Sequence, residues 1–130
     1  MVLNKRRDLS FGSIASPLPL QGDQTITVTA DDTSNAYGGI SAHFTTDGAD
    51  AQVFNVSLQN SSITMTSGGN NLTVDNFRVG DGSSGPFALP HSFVFPSPGV
   101  MDLYIGAQTV ITVGKPPGTY TGTNRLTVSY

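Results

Sequence analysis

Residues 118–130, GTYTGTNRLTVSY, indicate the fold most clearly. Small or apolar residues occupy most even positions, and Thr, Arg and Ser occupy the odd positions between them. A two-residue period is typical of a β-strand, in which successive side chains point to opposite faces. The segment therefore predicts a strand with one apolar face, which carries Tyr120, Gly122, Leu126, Val128 and Tyr130.

The same alternation recurs upstream, between clusters of Gly, Pro, Asn and Asp that are typical of turns. Ile26 and Val28 alternate with Thr, and Phe54, Val56 and Leu58 share one face of a later segment. In residues 72–79 the apolar phase slips by one position, which predicts a bulge at Asp75 and Asn76. Residues 80–98 are rich in Gly, Ser and Pro and predict a long loop with one short strand; Pro17 and Pro19 predict an earlier break.

The composition agrees with strands joined by turns. The chain holds 15 Gly, 15 Thr and 14 Ser, and its nine acidic residues are all Asp. Asp and Ser favour turns, whereas Glu, which is absent, favours helices. No ten-residue stretch has a helical period. We therefore expect an all-β protein: an immunoglobulin-like sandwich of about seven antiparallel strands, forming one domain over residues 1–130.

The charge pattern excludes some classes of partner. The net charge is -3 and only 12% of residues are charged, so the chain lacks the basic surface that nucleic acids require. No apolar run reaches the roughly 20 residues of a membrane span. The basic cluster Lys5-Arg6-Arg7 has two readings: a contact for an acidic polymer or lipid headgroups, or a charged guard on an exposed edge strand.

No residue pattern indicates catalysis or a cofactor. His43 and His91 lie in unrelated segments without the spacing of zinc ligands, and the chain has no Cys. No G-x-S-x-G elbow is present. The carboxylates at Asp31-Asp32 and at Asp47 and Asp50 fall in predicted turns, where calcium is a better alternative than acid–base chemistry. We therefore predict a protein that is not an enzyme.

Three motifs carry a family resemblance. The chain resembles bacterial fimbrial-type surface domains akin to spore coat protein U and to chaperone–usher pilin subunits. The resemblance covers nearly the whole chain and rests on DLSFG at residues 8–12, on LYIG at 103–106 with VITV at 110–113, and on PGTYTGT at 117–123 with VSY at 128–130.

The resemblance implies a pilin-like sandwich that lacks its final strand and is completed by a donor strand. The resulting groove would have Leu103 and Ile105 beneath it and would be bordered by Tyr120, Leu126, Val128 and Tyr130. A periplasmic chaperone would fill the groove first. At the outer-membrane usher, the N-terminal extension of the next subunit would then replace the chaperone.

The N-terminal segment, with Val2, Leu3, Leu9 and Phe11, would be a donor or a first strand. In the family, a leader and an alternating apolar donor segment precede the DLSFG-like motif. Residues 1–7 are too short for a full donor strand of about five alternate pockets. We therefore expect either that upstream residues were removed, which we favour, or that assembly uses a different partner strand.

These expectations define one function and one alternative. The first is a secreted structural subunit of an extracellular bacterial filament, pilus or coat, which polymerises by strand addition and supports adhesion or biofilm. The alternative is a stand-alone secreted module that binds a carbohydrate or another surface. Sugar-binding modules usually expose Trp or Tyr, and this chain has no Trp and four Tyr, namely Tyr37, Tyr104, Tyr120 and Tyr130.

Overall fold

The structure, a computed structural model, describes residues 1–15, 22–35 and 37–130. This part of the chain contains strands and no helix. The strands are β1 (Val2–Arg7), β2 (Ser10–Gly12), β3 (Gln24–Val28), β4 (Gly38–Ile40), β5 (Ala42–Asp47), β6 (Val53–Leu58), β7 (Ile63–Ser67), β8 (Asn70–Gly80), β9 (Phe87–Ala88), β10 (His91–Val94), β11 (Val100–Ile111) and β12 (Leu126–Ser129).

The prediction of an all-β antiparallel fold is confirmed. The strands outnumber the expected seven because several are very short: β2 and β4 have three residues each and β9 has two. Residues 80–98 hold β9 as well as the short strand expected around Phe93. The break expected at Pro17 and Pro19 lies outside the described residues.

The larger sheet has the strand order β1-β5-β11-β8-β7, with β3 beside β11 and β9 beside β8. All of these pairs are antiparallel. The long strand β11 organises the sheet, because its first half pairs with β5 and its second half pairs with β3. Alternation along β11 and its neighbours gives this sheet one apolar face.

The smaller sheet has the order β10-β6-β12, and β2 and β4 form a separate two-stranded ladder. Phe54 and Val56 of β6 belong to the same core cluster as Leu103 and Val79 of the larger sheet. All four of these side chains are fully buried. A shared core between two antiparallel sheets is the arrangement of a β-sandwich.

The predicted bulge in β8 is confirmed. Gly106 is opposite Arg78 and Gln108 is opposite Asp75. Between these two pairs, β8 therefore has one more residue than β11. Asn76 has a φ of 52°, in the left-handed region. The bulge lets Leu72 and Val74 before it, and Phe77 and Val79 after it, all point into the core.

The C-terminal segment is divided between the two sheets. Thr121 forms an isolated bridge with Thr66 next to the larger sheet, whereas β12 pairs with β6 of the smaller sheet. Residues 119–125 therefore cross from one sheet to the other, and only Leu126–Ser129 form a regular strand. Tyr130, predicted on the apolar face, is 57% exposed. In the described residues, no helix has the length and apolar character that crossing a membrane requires.

Candidate functional site

An apolar groove of about 530 Å³ lies between the N-terminal and C-terminal segments. Asp8, Leu9 and Ser10 form one side, and residues 119–124 with Leu126 form the other. The floor consists of inward-facing side chains from strands of the larger sheet and the end of β6: Ala42, Phe44, Leu58, Ile63, Met65, Phe77 and Ile105.

The groove exists because the smaller sheet does not cover the whole apolar face of the larger one. The smaller sheet has three strands, and the larger has seven. Phe11, Ile14 and Tyr120, from the segments that run across the larger sheet, belong to the same core cluster. The groove lies between this cover and the edge of the smaller sheet at Leu126.

The strand β12 forms that edge. It pairs with β6 through Leu126 opposite Leu58 and Val128 opposite Val56. Within the described part of the chain, no strand pairs with its other edge. An unpaired edge presents a row of backbone N–H and C=O groups that another strand can bind.

The groove surface is incompletely buried. Ala42, Met65, Phe77 and Ile105 are buried at its base. Phe44, Leu58, Ile63 and Leu126 are only half-buried, although each packs against the core. Apolar side chains of this size gain free energy when a partner removes them from water, so the groove favours an apolar occupant.

The charges at the groove rim are paired with each other. Lys5 Nζ lies 2.8 Å from Asp8 Oδ1, and both side chains are largely exposed. An exposed pair of this kind contributes little to stability. The remaining groove residues are neutral, so an apolar strand would bury no unpaired charge there.

Tyr120 fixes the C-terminal wall. Its ring is buried, and its hydroxyl donates a hydrogen bond of 2.6 Å to the carbonyl oxygen of Pro116. The preceding turn is also held by the backbone, because Gly118 and Ile14 exchange two hydrogen bonds of 3.0 Å. A buried tyrosine with a satisfied hydroxyl is a rigid wall residue.

The residues predicted for the groove lie at different depths. Ile105, Tyr120 and Leu126 line it, whereas Leu103 is completely buried in the core beneath. Val128 is half-buried farther along β12 and packs against the core. The exposed Tyr130 lies beyond the groove, where its hydroxyl accepts a hydrogen bond of 3.2 Å from the Ala49 N–H.

The predicted N-terminal residues occupy a first strand and its continuation. Leu9 lines the groove, and Phe11 is buried in the core. Val2 is exposed and Leu3 half-buried on β1, which pairs with β5 at the edge of the larger sheet. The basic cluster thus lies on an edge strand.

The prediction from the sequence missed six apolar groove residues: Ala42, Phe44, Leu58, Ile63, Met65 and Phe77. The two-residue alternation placed Leu58 on the same face as Phe54 and Val56. No sequence signal showed that these strands meet at one place, because that depends on long-range strand pairing.

A family model described as "Domain of unknown function (DUF4402)" matches residues 1–130. The chain belongs to the DUF4402 family. A search of the curated proteins finds no significant match.

The outer face of the larger sheet of this DUF4402 domain carries a cluster of polar side chains. The His43 ring stacks on Tyr104 with centroids 4.5 Å apart, and His43 Nε2 lies 2.9 Å from Asp102 Oδ1. Burial raises the pKa of the Tyr104 hydroxyl, and the nearby charges of Asp102 and Asp32 raise it further. Arg7 Nη1 lies 3.1 Å from Asp32 Oδ1 and so links β1 to the loop after β3.

The other histidine and the paired carboxylates of the DUF4402 domain do not converge. His91 stacks on Phe87, with centroids 4.0 Å apart, away from His43. Asp31 accepts a hydrogen bond from the Thr33 N–H, and Asp50 accepts one from Ser97. In the described residues, no group of three or more potential ligands is placed to hold a metal ion.

Proposed function

We propose that this DUF4402 domain is a structural subunit of an extracellular bacterial filament, pilus or coat, which polymerises by strand addition. The observation that carries the proposal is the apolar groove of about 530 Å³ beside the unpaired edge of β12. An extended segment of a neighbouring subunit would fill the groove and pair with that edge.

Strand addition uses both parts of the site. The backbone of the incoming segment would bond to β12, and every second side chain would enter the groove. These side chains would cover Phe44, Leu58, Ile63 and Leu126, which are half-buried in the isolated domain. Hydrophobic burial contributes about 25 cal/mol per Å² of apolar surface, so a few such contacts stabilise the added strand substantially.

We propose that the assembly is open-ended. In strand addition the donor segment is a surface other than the groove, so each subunit would donate to one neighbour and accept from another. Such head-to-tail contacts generate filaments when the rotation between subunits does not close a ring. Secretion, a periplasmic chaperone and an outer-membrane usher belong to the proposal through the resemblance to pilin subunits.

The test compares the purified protein with two variants on the same strand. Leu126 lines the groove, whereas the adjacent Thr127 is exposed on the opposite face of β12. Light scattering and negative-stain electron microscopy should show assemblies for the wild type and for Thr127→Asp, but monomers for Leu126→Asp. A stable wild-type monomer with no tendency to assemble would instead favour the stand-alone binding module.

A further inference from the structure

A second cleft, of about 460 Å³, lies where the edge of the larger sheet is interrupted. On this edge, β8 pairs with β7 as far as Val74 and with β9 from Arg78 onward. No strand of the described chain covers residues 75–77 between them. The interruption leaves an opening between the end of β6 and the loop at Leu89 and Pro90, both of which line the cleft.

The interruption coincides with the bulge. Asn76 adopts a φ of 52°, a conformation that is uncommon for residues other than glycine. Its Nδ2 donates a hydrogen bond of 2.8 Å to Gln108 Oε1, and Gln108 Nε2 donates one of 3.1 Å to Thr27 Oγ1. This chain of bonds links Asn76 to β11 and β3 and fixes the orientation of its amide. Bulges commonly re-aim side chains next to functional sites.

Arg78 is the positively charged residue that lines this cleft. Its neighbours across the sheet are Gly106 and Ala88, which are too small to cover the guanidinium. Its Nη1 donates a hydrogen bond of 3.2 Å to the carbonyl oxygen of Phe77. In the described part of the chain, the ion pairs are made by Lys5, Arg7 and His43, and none involves Arg78.

The opposite wall supplies neutral hydrogen-bonding groups on a fixed backbone. Ser57, Gln59 and Asn60 line the cleft. The backbone N–H of Asn60 donates to Asn124 Oδ1 at 3.1 Å, and Asn124 Nδ2 donates to the Asn60 carbonyl at 2.9 Å. The wall is therefore held in place. Gln59 and Asn60 are exposed at the opening, and Ser57 is half-buried.

We propose that this cleft binds the carboxylate of an acidic sugar. The planar guanidinium of Arg78 matches a carboxylate, with which it forms paired hydrogen bonds. The amides of Gln59 and Asn60 and the hydroxyl of Ser57 match the hydroxyl groups of a sugar ring. A single arginine fits one carboxylate per binding site and does not fit a polyanion such as nucleic acid. The cleft adjoins the assembly groove, because Leu58 and Phe77 line both. Its polar residues and Arg78 lie outside the groove, so the inference does not depend on the proposed function.

The test titrates the full chain with glucuronate and with glucose, its neutral counterpart, and follows the backbone amide signals by NMR. Glucuronate should shift the signals of residues 57–61 and 76–78, and glucose should bind at least tenfold more weakly. Arg78→Gln should weaken glucuronate binding at least tenfold. Arg6→Gln removes the same charge from the distant edge strand β1 and should leave binding unchanged.

Two results would overturn the proposal. The first is equal binding of glucose and glucuronate, and the second is an unchanged affinity for glucuronate in Arg78→Gln. A folded Arg78→Gln domain is confirmed by its amide spectrum, and Gln59→Ala provides an independent variant on the opposite wall. Absence of any glucuronate-dependent shift in the wild type would also refute the site.

Discussion

Replacing Leu126 with Asp should affect assembly much more than folding. Leu126 is half-buried and lies opposite Leu58 at the edge of the groove. Complete burial of a leucine side chain contributes about 1.5–3 kcal/mol, so losing a half-buried one costs the isolated domain roughly 1 kcal/mol. The domain should therefore stay folded, with a modestly lower midpoint of chemical denaturation.

Assembly should suffer far more than folding. An incoming strand would cover the Asp side chain, and burying an unpaired charge costs several kcal/mol. Since about 1.4 kcal/mol corresponds to a factor of ten, the concentration needed for half-assembly should rise at least a hundredfold. Light scattering across a concentration series measures this value, and circular dichroism reports folding of the same samples.

Thr127→Asp is the matched control. It introduces the same charge one residue along β12, on the exposed face, where Thr127 lies opposite Ser57. It should leave both assembly and stability nearly unchanged. The reasoning is refuted if the two variants assemble equally well, or if Leu126→Asp assembles as readily as the wild type.

Three further predictions concern the fold itself. Gly106→Ala would place a Cβ in a steric clash with the backbone carbonyl oxygen of Val28, so the free energy of unfolding should fall by roughly 1–3 kcal/mol in a denaturant titration. Tyr120→Phe removes the hydrogen bond to Pro116 and should cost about 1 kcal/mol in the same assay without changing the fold; a variant as stable as the wild type would contradict that role. For Asp81, burial raises the pKa, but hydrogen bonds from the Ser84 and Ser83 N–H groups outweigh it and lower the pKa below the ordinary value of 3.8. The stabilisation from Asp81 is therefore present above that value and lost as pH falls through the folded-state pKa, and thermal melts of Asp81→Asn should show a smaller loss in that range than the wild type.

Much of the fold follows from local pattern. The two-residue alternation predicted strands throughout, and the phase slip before Phe77 predicted the bulge at Asn76. Both features depend on which way neighbouring side chains point along one strand. A two-residue period determines which side chains share a face of the strand, so Leu126 and Val128 both turn inward, as expected.

The arrangement of the groove was harder to predict from the sequence, because it depends on pairing between distant segments. Alternation over residues 118–130 did not show that the chain changes sheets near Thr121, since both halves keep the same period. Phe44, Met65 and Phe77 come together only through β11 and its neighbours. Tyr130 fits the alternating pattern, yet it lies beyond the last strand pair and is exposed.

The second cleft, which contains Arg78, also could not be predicted from a sequence motif. Arg78 is separated from Gln59 and Asn60 by the whole of β7 and most of β8. They line one cleft because no described strand covers the edge of β8 between β7 and β9. The predicted bulge marked the right place in the sequence but gave no indication of a binding site.

The central claim is that the free edge of β12 accepts a strand from a neighbouring subunit. Hydrogen–deuterium exchange on the amides of Leu126–Ser129, at protein concentrations below and above assembly, tests it most directly. We expect the exchange of these amides to slow sharply in the assembled protein, together with the appearance of filaments by electron microscopy. A protein that stays monomeric at all concentrations, or assemblies in which β12 exchanges as fast as in the monomer, would contradict the claim.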